Sequence, residues 1–273
     1  MDRAVALTPK SARVVAAVKL QRHAGRVRAG RFLAEGPNLV EAAAARGMVE
    51  EVFATAAAVD RHPELLRDMA VTLVTEPAAK ALSDTVTPSG LVAVCRIQHA
   101  DFAEVLAAKP TLIAVAVGLS EPGNAGTLIR IAHAMGAAAV VFAGNSVDPY
   151  NGKCLRSSAG SIFAVPVISE TDTVGLLAQL RSAGLRIVAT TLDGDTSLDD
   201  ADALLAAPTA WVFGPESQGL PDEVAGLADD RVVIPMSAGA ESLNVAAAAA
   251  ICLYQSARAQ RHHSARAQRQ SLG

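Results

Sequence analysis

The sequence predicts an α/β protein with a mainly parallel sheet, arranged as two domains. Three observations predict it. Short β-branched runs alternate with Ala-rich helical stretches along the chain, the pattern of strand–helix crossovers. Of the 273 residues, 51% are hydrophobic and 19% charged, which supplies a core and excludes a disordered chain. A polar break around Asp101 and Pro110 separates two such α/β stretches, at a length that suits two modest domains.

Taken in order, strands are expected at 51–55, 71–75 and 91–96 in the first half, where Val, Leu and Phe cluster. After Lys109-Pro110 the run Leu112-Ile113-Ala114-Val115-Ala116-Val117 starts a new buried strand, placed at 111–117. Further strands are expected at 138–143, 162–167, 186–190, 210–213 and 231–234. Helices are expected between them at 37–46, 125–135, 173–182 and 242–259. The domains are read as 1–105 and 108–256, followed by a basic tail at 257–273. In that tail Ser256-Ala257-Arg258-Ala259-Gln260-Arg261 recurs as Ser264-Ala265-Arg266-Ala267-Gln268-Arg269. The repeat is too short for a solenoid; it either frays or extends the last helix.

The net charge of −3 hides an asymmetry. Residues 1–31 hold eight basic side chains and one acid, and residues 256–273 hold four Arg and no acid. Such ends suit a polyanion partner or are solvated tails. Cys95, Cys154 and Cys252 lie far apart with no CxxC, which argues against a disulfide scaffold or structural zinc and for a reducing, cytoplasmic compartment. The start of the chain carries no apolar signal region, and the run 245–254 is too short to span a bilayer. A soluble protein is expected.

The parallel α/β pattern invites a nucleotide, yet GxGxxG, the phosphate loop GxxxxGK[ST] and the GxSxG elbow are all missing from the sequence. Three post-strand loops are instead dense in Gly, Pro and polar residues, where α/β folds build ligand sites. The first is Glu121-Pro122-Gly123-Asn124-Ala125-Gly126-Thr127-Leu128-Ile129-Arg130, with Asn124 expected as helix N-cap and Arg130 about two turns in. The second is Gly214-Pro215-Glu216-Ser217-Gln218-Gly219-Leu220. The third is Ile234-Pro235-Met236, a polar loop, then Ser242-Leu243-Asn244-Val245, where Ser242 or Asn244 can cap the last helix. Each loop alone also reads as ordinary turn or capping chemistry.

Together, in this order, they resemble the SpoU family of RNA ribose 2′-O-methyltransferases, within the SPOUT superfamily. The stretch Arg31-Phe32-Leu33-Ala34-Glu35-Gly36-Pro37-Asn38-Leu39-Val40 resembles the family's ribosomal-protein-like substrate-binding domain. The segment from Asp148 to Gly160 resembles the branch of thiostrepton- and avilamycin-resistance enzymes that act on 23S rRNA. The resemblance implies a deep trefoil knot in the second domain, a homodimer formed through the last helix, and S-adenosylmethionine as methyl donor without a metal. It implies donor contacts from Thr191, Leu192, Gly214, Ile234, Pro235, Met236 and Leu243. It assigns the chemistry to Arg130 and Asn124, with Glu216, Ser242 and Asn244 completing a polar wall. Arg130 is the family's usual proton acceptor, but a guanidinium holds its proton at neutral pH; phosphate clamping or alkoxide stabilisation suits it better. In the basic N-terminal stretch Lys10, Arg13, Lys19, Arg22, Arg26, Arg28 and Arg31 are expected to touch RNA phosphates. With 3% aromatics, base stacking is a poor expectation. Readings as a tRNA methyltransferase, or as a non-catalytic RNA-binding or ribosome-assembly protein, stay open at this point.

Overall fold

The computed structural model describes the backbone of residues 6–215 and 219–271, and side chains as far as residue 265. The chain forms two compact units: residues 1–98 with 150–163, and 99–149 with 164–273. The segment 150–163 therefore packs with the first unit, although the sequence reading has it inside the second domain.

The first unit holds a four-stranded sheet of β1 (Arg31–Glu35), β2 (Val49–Ala54), β3 (Val71–Leu73) and β4 (Leu91–Arg96), in the order β1-β4-β2-β3. The strands β1 and β2 run antiparallel to β4, and β2 runs parallel to β3. Along β1, Phe32 and Ala34 are buried while their neighbours are not, the alternation of a strand with one covered face. The sequence reading did not place a strand there, because five residues with two charges at the ends carry little β signal. Val14, Ala17, Leu20, Phe53, Leu82 and Val92 belong to the apolar cluster between helices and sheet.

The segment 150–163 joins this unit through rings and charges. The Phe32 ring lies 4.9 Å from that of Tyr150 and 5.9 Å from that of Phe163, centroid to centroid. The Tyr150 hydroxyl donates to the Gln98 carbonyl at 3.3 Å. Arg156, on the helix Gly152–Ser158, pairs with Asp84 and stands 3.7 Å from Glu35. Glu35 also accepts from Ser83 Oγ at 2.5 Å and Thr85 Oγ1 at 3.0 Å.

The second unit holds a seven-stranded sheet of β5 (Leu112–Val117), β6 (Ala139–Ala143), β7 (Val167–Glu170), β8 (Arg186–Thr190), β9 (Thr196–Ser197), β10 (Thr209–Phe213) and β11 (Asp230–Val233). Their order is β7-β6-β5-β10-β8-β11-β9, and every pairing is parallel. Every residue of β5, β6 and β10 is buried, as central strands covered on both faces must be.

Three local expectations are corrected. No strand spans 162–167: Ser161–Phe163 is a 3₁₀ turn and the strand begins at Val167. Pro166 has no N–H to give a ladder; only its carbonyl is used, by Val140 N at 2.9 Å. The helix expected from 125 starts at Pro122, a residue preorganised for the first helical position. Its N-cap is Glu121, whose carboxylate accepts from Gly123 N at 3.2 Å, and not Asn124. The last helix runs from Val245 to Ser271, through the repeat.

Candidate functional site

The polar loops of the second unit leave the C-terminal ends of β8, β10 and β11, where parallel sheets open a crevice. They enclose a cavity of about 420 Å³. After β8 come Thr191, Leu192 and Asp193; after β10, Gly214 and Pro215; after β11, Ile234 and Met236; before the last helix, Ser242 and Leu243. Six of the seven residues expected around a methyl donor line this cavity: Thr191, Leu192, Gly214, Ile234, Met236 and Leu243. Pro235 does not, and faces solvent.

Two backbone approaches shape the walls. A Cβ on Gly214 would stand 2.5 Å from both the carbonyl carbon of Gly219 and the nitrogen of Leu220. Only glycine lets these strands of chain meet. A Cβ on Gly194 would stand 2.6 Å from Val233 N, so the loop after β8 lies directly on β11. Arg231 of β11 adds side-chain ties to that loop, to Asp193 at 3.3 Å and to Asp195 at 3.2 Å. These carboxylates push its guanidinium pKa further up. Thr191 presents a different feature: its Oγ1 is buried and has no hydrogen-bond partner among the described residues, which marks a polar atom suited to a ligand.

The sequence reading missed Asp193, Phe213, Asp222 and Arg231, all of which line the cavity. Asp193 adjoins Thr191-Leu192 and was open to inference from that adjacency. Arg231 had no local signal, since its partners lie 36 and 38 residues away.

Of the residues assigned to chemistry, Asn124 and Arg130 sit on the helix Pro122–Ala134, while Ser242 and Asn244 lie just before the helix Val245–Ser271, which packs against it. Asn244 caps the second helix: its Oδ1 accepts from Ala246 N at 3.0 Å and Ala247 N at 3.3 Å. Its Nδ2 donates to Asn124 Oδ1 at 3.2 Å. Residues 120 positions apart thus meet side chain to side chain. Ser242 lines the cavity. Arg130 is exposed, and its guanidinium has no hydrogen-bond or ion-pair partner among the described residues. Glu216 lies outside the described residues.

In the first unit the basic stretch divides. Lys10, Lys19, Arg22 and Arg28 are exposed and carry no ion pair among the described residues. Arg13 and Arg31 are exposed but pair with Glu51 and Glu50, each at 2.5 Å. Arg26 corrects the expectation. It is 4% exposed, and its Nη1 donates to the carbonyls of Leu20 at 3.0 Å and Gln21 at 2.9 Å. It holds the end of one turn to the next helix and is out of reach of a phosphate. Among the described residues there is no group of side chains spaced to hold a metal ion, and no helix is long and apolar enough to cross a membrane.

Comparison with known proteins gives this geometry a context. The SpoU rRNA Methylase family matches residues 111–254, and an MRM3-like substrate binding domain matches residues 12–93. The chain is 34% identical over 248 residues to an uncharacterised tRNA/rRNA methyltransferase of Synechocystis, covering 89% of each. It is 33% identical over 238 residues to the 23S rRNA (guanosine(2553)-2′-O)-methyltransferase of Bacillus subtilis, covering 86% of this chain and 92% of that one. The solved structure of the SpoU methyltransferase AviRb from Streptomyces viridochromogenes, in complex with the cofactor AdoMet, superposes with a TM-score of 0.80. It is 30% identical, and the match covers 91% of this chain and 98% of that one.

Proposed function

The chain belongs to the SpoU rRNA Methylase family, and we propose that it methylates a ribose 2′-hydroxyl of 23S rRNA with S-adenosylmethionine as donor. The observation that carries this reading is the cavity at the ends of β8, β10 and β11, with the Asn124–Asn244 pair at the starts of the helices beside it.

The residues present fit the donor. A cavity of about 420 Å³ is of small-molecule size. Ile234, Met236 and Leu243 give an apolar slot for adenine, and Gly214 lets main chain approach it. Thr191 Oγ1 and the carboxylates of Asp193 and Asp222 offer hydrogen bonds to hydroxyl or ammonium groups. Bound there, S-adenosylmethionine supplies a methyl already activated by its sulfonium.

The protein's own task is positioning and charge. The ribose oxygen gains a carbon bond as the carbon–sulfur bond breaks, and the hydroxyl proton must leave. Arg130 keeps its own proton at neutral pH, so it holds the neighbouring phosphate and steadies the developing alkoxide. An oxygen of that phosphate then takes the proton. Asn124, Ser242 and Asn244 complete the polar wall. Lys10, Lys19, Arg22 and Arg28 meet the RNA backbone in the first unit.

The functional molecule is a homodimer in this reading. Ile251 is 38% and Tyr254 50% exposed on the last helix, one turn apart, an apolar pair a second copy would cover. A cytoplasmic location follows from the substrate.

The test is methyl transfer from labelled S-adenosylmethionine to unmodified 23S rRNA and, separately, to bulk tRNA, followed by nucleoside analysis. A labelled 2′-O-methyl nucleoside in 23S rRNA alone is the expected result. Label in tRNA alone would move the chain to tRNA modification. No label and no donor binding would leave an RNA-binding protein.

A further inference from the structure

We propose that Arg231 is a positioning residue for the methyl donor: through Asp193 and Asp195 it straps the arch of residues 191–195 across β11 and keeps Thr191 and Leu192 in the cavity wall. The proposal rests on the methyltransferase reading above.

The argument starts from strand order. β8 and β9 lie on opposite sides of β11. Thr190 of β8 and Thr196 of β9 are both register partners of Val232. Five residues, 191–195, carry the chain from one side of β11 to the other, so they must cross a face of that strand. Val232 is fully buried and Arg231 half-buried, and strand alternation puts their side chains on opposite faces. The arch crosses on the face of Arg231, which holds it.

Three contacts fix the crossing. At its start the Thr191 N–H donates to the Val232 carbonyl at 3.1 Å. At Gly194 the backbone lies so near β11 that a Cβ would stand 2.6 Å from Val233 N. Arg231 supplies the third. Its Nη1 donates to Asp193 Oδ2 at 3.3 Å, while Nε and Nη2 both reach Asp195 Oδ2, at 3.3 and 3.2 Å. One guanidinium thus grips the carboxylates on either side of Gly194.

Thr191, Leu192 and Asp193 all line the donor cavity, so what the strap fixes is cavity wall. Leu192 is exposed and has little packing of its own to place it. Both carboxylates are largely exposed too, so the pairs add little to global stability. Their effect lies in where the arch sits. Charge alone predicts the opposite sign. The donor carries a sulfonium, an ammonium and a carboxylate, a net positive charge, so removing a cation from the wall would favour it.

Arg231→Gln should weaken S-adenosylmethionine binding about five-fold in calorimetric titration, the scale expected if the binding-competent arch is populated about one fifth of the time. Single-turnover methyl transfer at saturating donor should stay within about two-fold, because the lost interaction serves ground and transition state alike. Asp195→Asn decides the route. Asp195 is not among the described residues lining the cavity, yet its loss should weaken the donor nearly as much. The two changes together should cost no more than Arg231→Gln alone. In the donor-free protein, amide exchange over 191–197 should quicken in both variants while that of β5 and the unfolding midpoint hold.

Donor affinity kept or raised in Arg231→Gln would overturn the proposal. So would a loss that Asp195→Asn does not share, because Arg231 would then meet the donor itself. If Arg231→Gln does not fold, the Kd and exchange of Asp195→Asn decide alone. A wild-type chain that binds no S-adenosylmethionine is a separate outcome. It would sink the functional reading, and unchanged exchange over 191–197 would still overturn the strap.

Discussion

Single residues separate charge that is used from charge that is stored. Arg130 is exposed and unpaired among the described residues, whereas Arg156, Arg181, Arg186 and Arg231 all hold carboxylates. Removing Arg130 therefore breaks no ion pair of the described fold. Arg130→Ala should leave the unfolding midpoint and the Kd for S-adenosylmethionine nearly unchanged, while methyl transfer to 23S rRNA falls by at least about 100-fold. Near wild-type turnover in that variant would place the reaction centre elsewhere. The thiols give a prediction about stability. Burial first, and the Glu50 carboxylate second, push Cys95 up to about 12; burial pushes Cys252 up as well. In the unfolded chain these thiols ionise from about pH 8.5. Between that pH and the raised folded value, the unfolded state sheds protons that the folded state keeps, so stability falls as pH rises. Below pH 8 both states hold the thiols neutral and the effect vanishes. Urea midpoints should drop between pH 8 and pH 10, and Cys95→Ala should lessen that drop. Thiol reagents at pH 8 should label Cys95 and Cys252 only after unfolding.

Among the elements, what could be read from the sequence follows how local each signal is. The strands β4 and β8 have the expected limits, because a β-branched run with polar ends carries its own boundaries. The first residues of the helix at Pro122 were misplaced because two capping residues competed, and Glu121 reaches the Gly123 amide directly. Part of the cavity lining lies in two of the three loop motifs, 214–220 and 234–245, but Arg231 and Asp222 were not legible, since neither belongs to a motif. Also unreadable was the tie between the last helix and the sheet. Trp211, in β10, donates its indole N–H to Ser256 Oγ at 2.8 Å, and both residues are fully buried. Ser256→Ala leaves that N–H without a partner, which should cost about 1–3 kcal/mol, read as a lower midpoint in urea. Gly214→Ala acts at the loop. Its Cβ would press on Gly219 and Leu220 at 2.5 Å. The chain must shift there, at a cost of about 1–3 kcal/mol for overpacking. Donor affinity should fall with it, because the displaced backbone is the cavity wall; calorimetric titration with S-adenosylmethionine would record the loss.

At the scale of the molecule, the charge distribution assigns different work to similar residues. Basic groups crowd the first 31 positions while the interior is acidic, and that much was plain in the sequence. Composition could not tell which cations face outward. The fold does so by burying Arg26 on backbone carbonyls and pairing Arg13 and Arg31 with glutamates. Lys10, Lys19, Arg22 and Arg28 remain exposed, and each phosphate they neutralise releases counterions from RNA. Binding of 23S rRNA fragments should thus weaken steeply with salt. Replacing Lys19, Arg22 and Arg28 together by Gln should lower the slope of log K against log salt by about two to three, roughly one for each phosphate no longer neutralised. Arg26→Gln should behave differently. It leaves the carbonyls of Leu20 and Gln21 short of a donor, so it should lower the unfolding midpoint and leave the salt slope of the folded protein unchanged. A slope that falls for Arg26→Gln, or one that does not move in the triple variant, would show that RNA meets another face. The measurement needs only binding isotherms at four or five salt concentrations, and it reads the electrostatic part of RNA binding apart from catalysis.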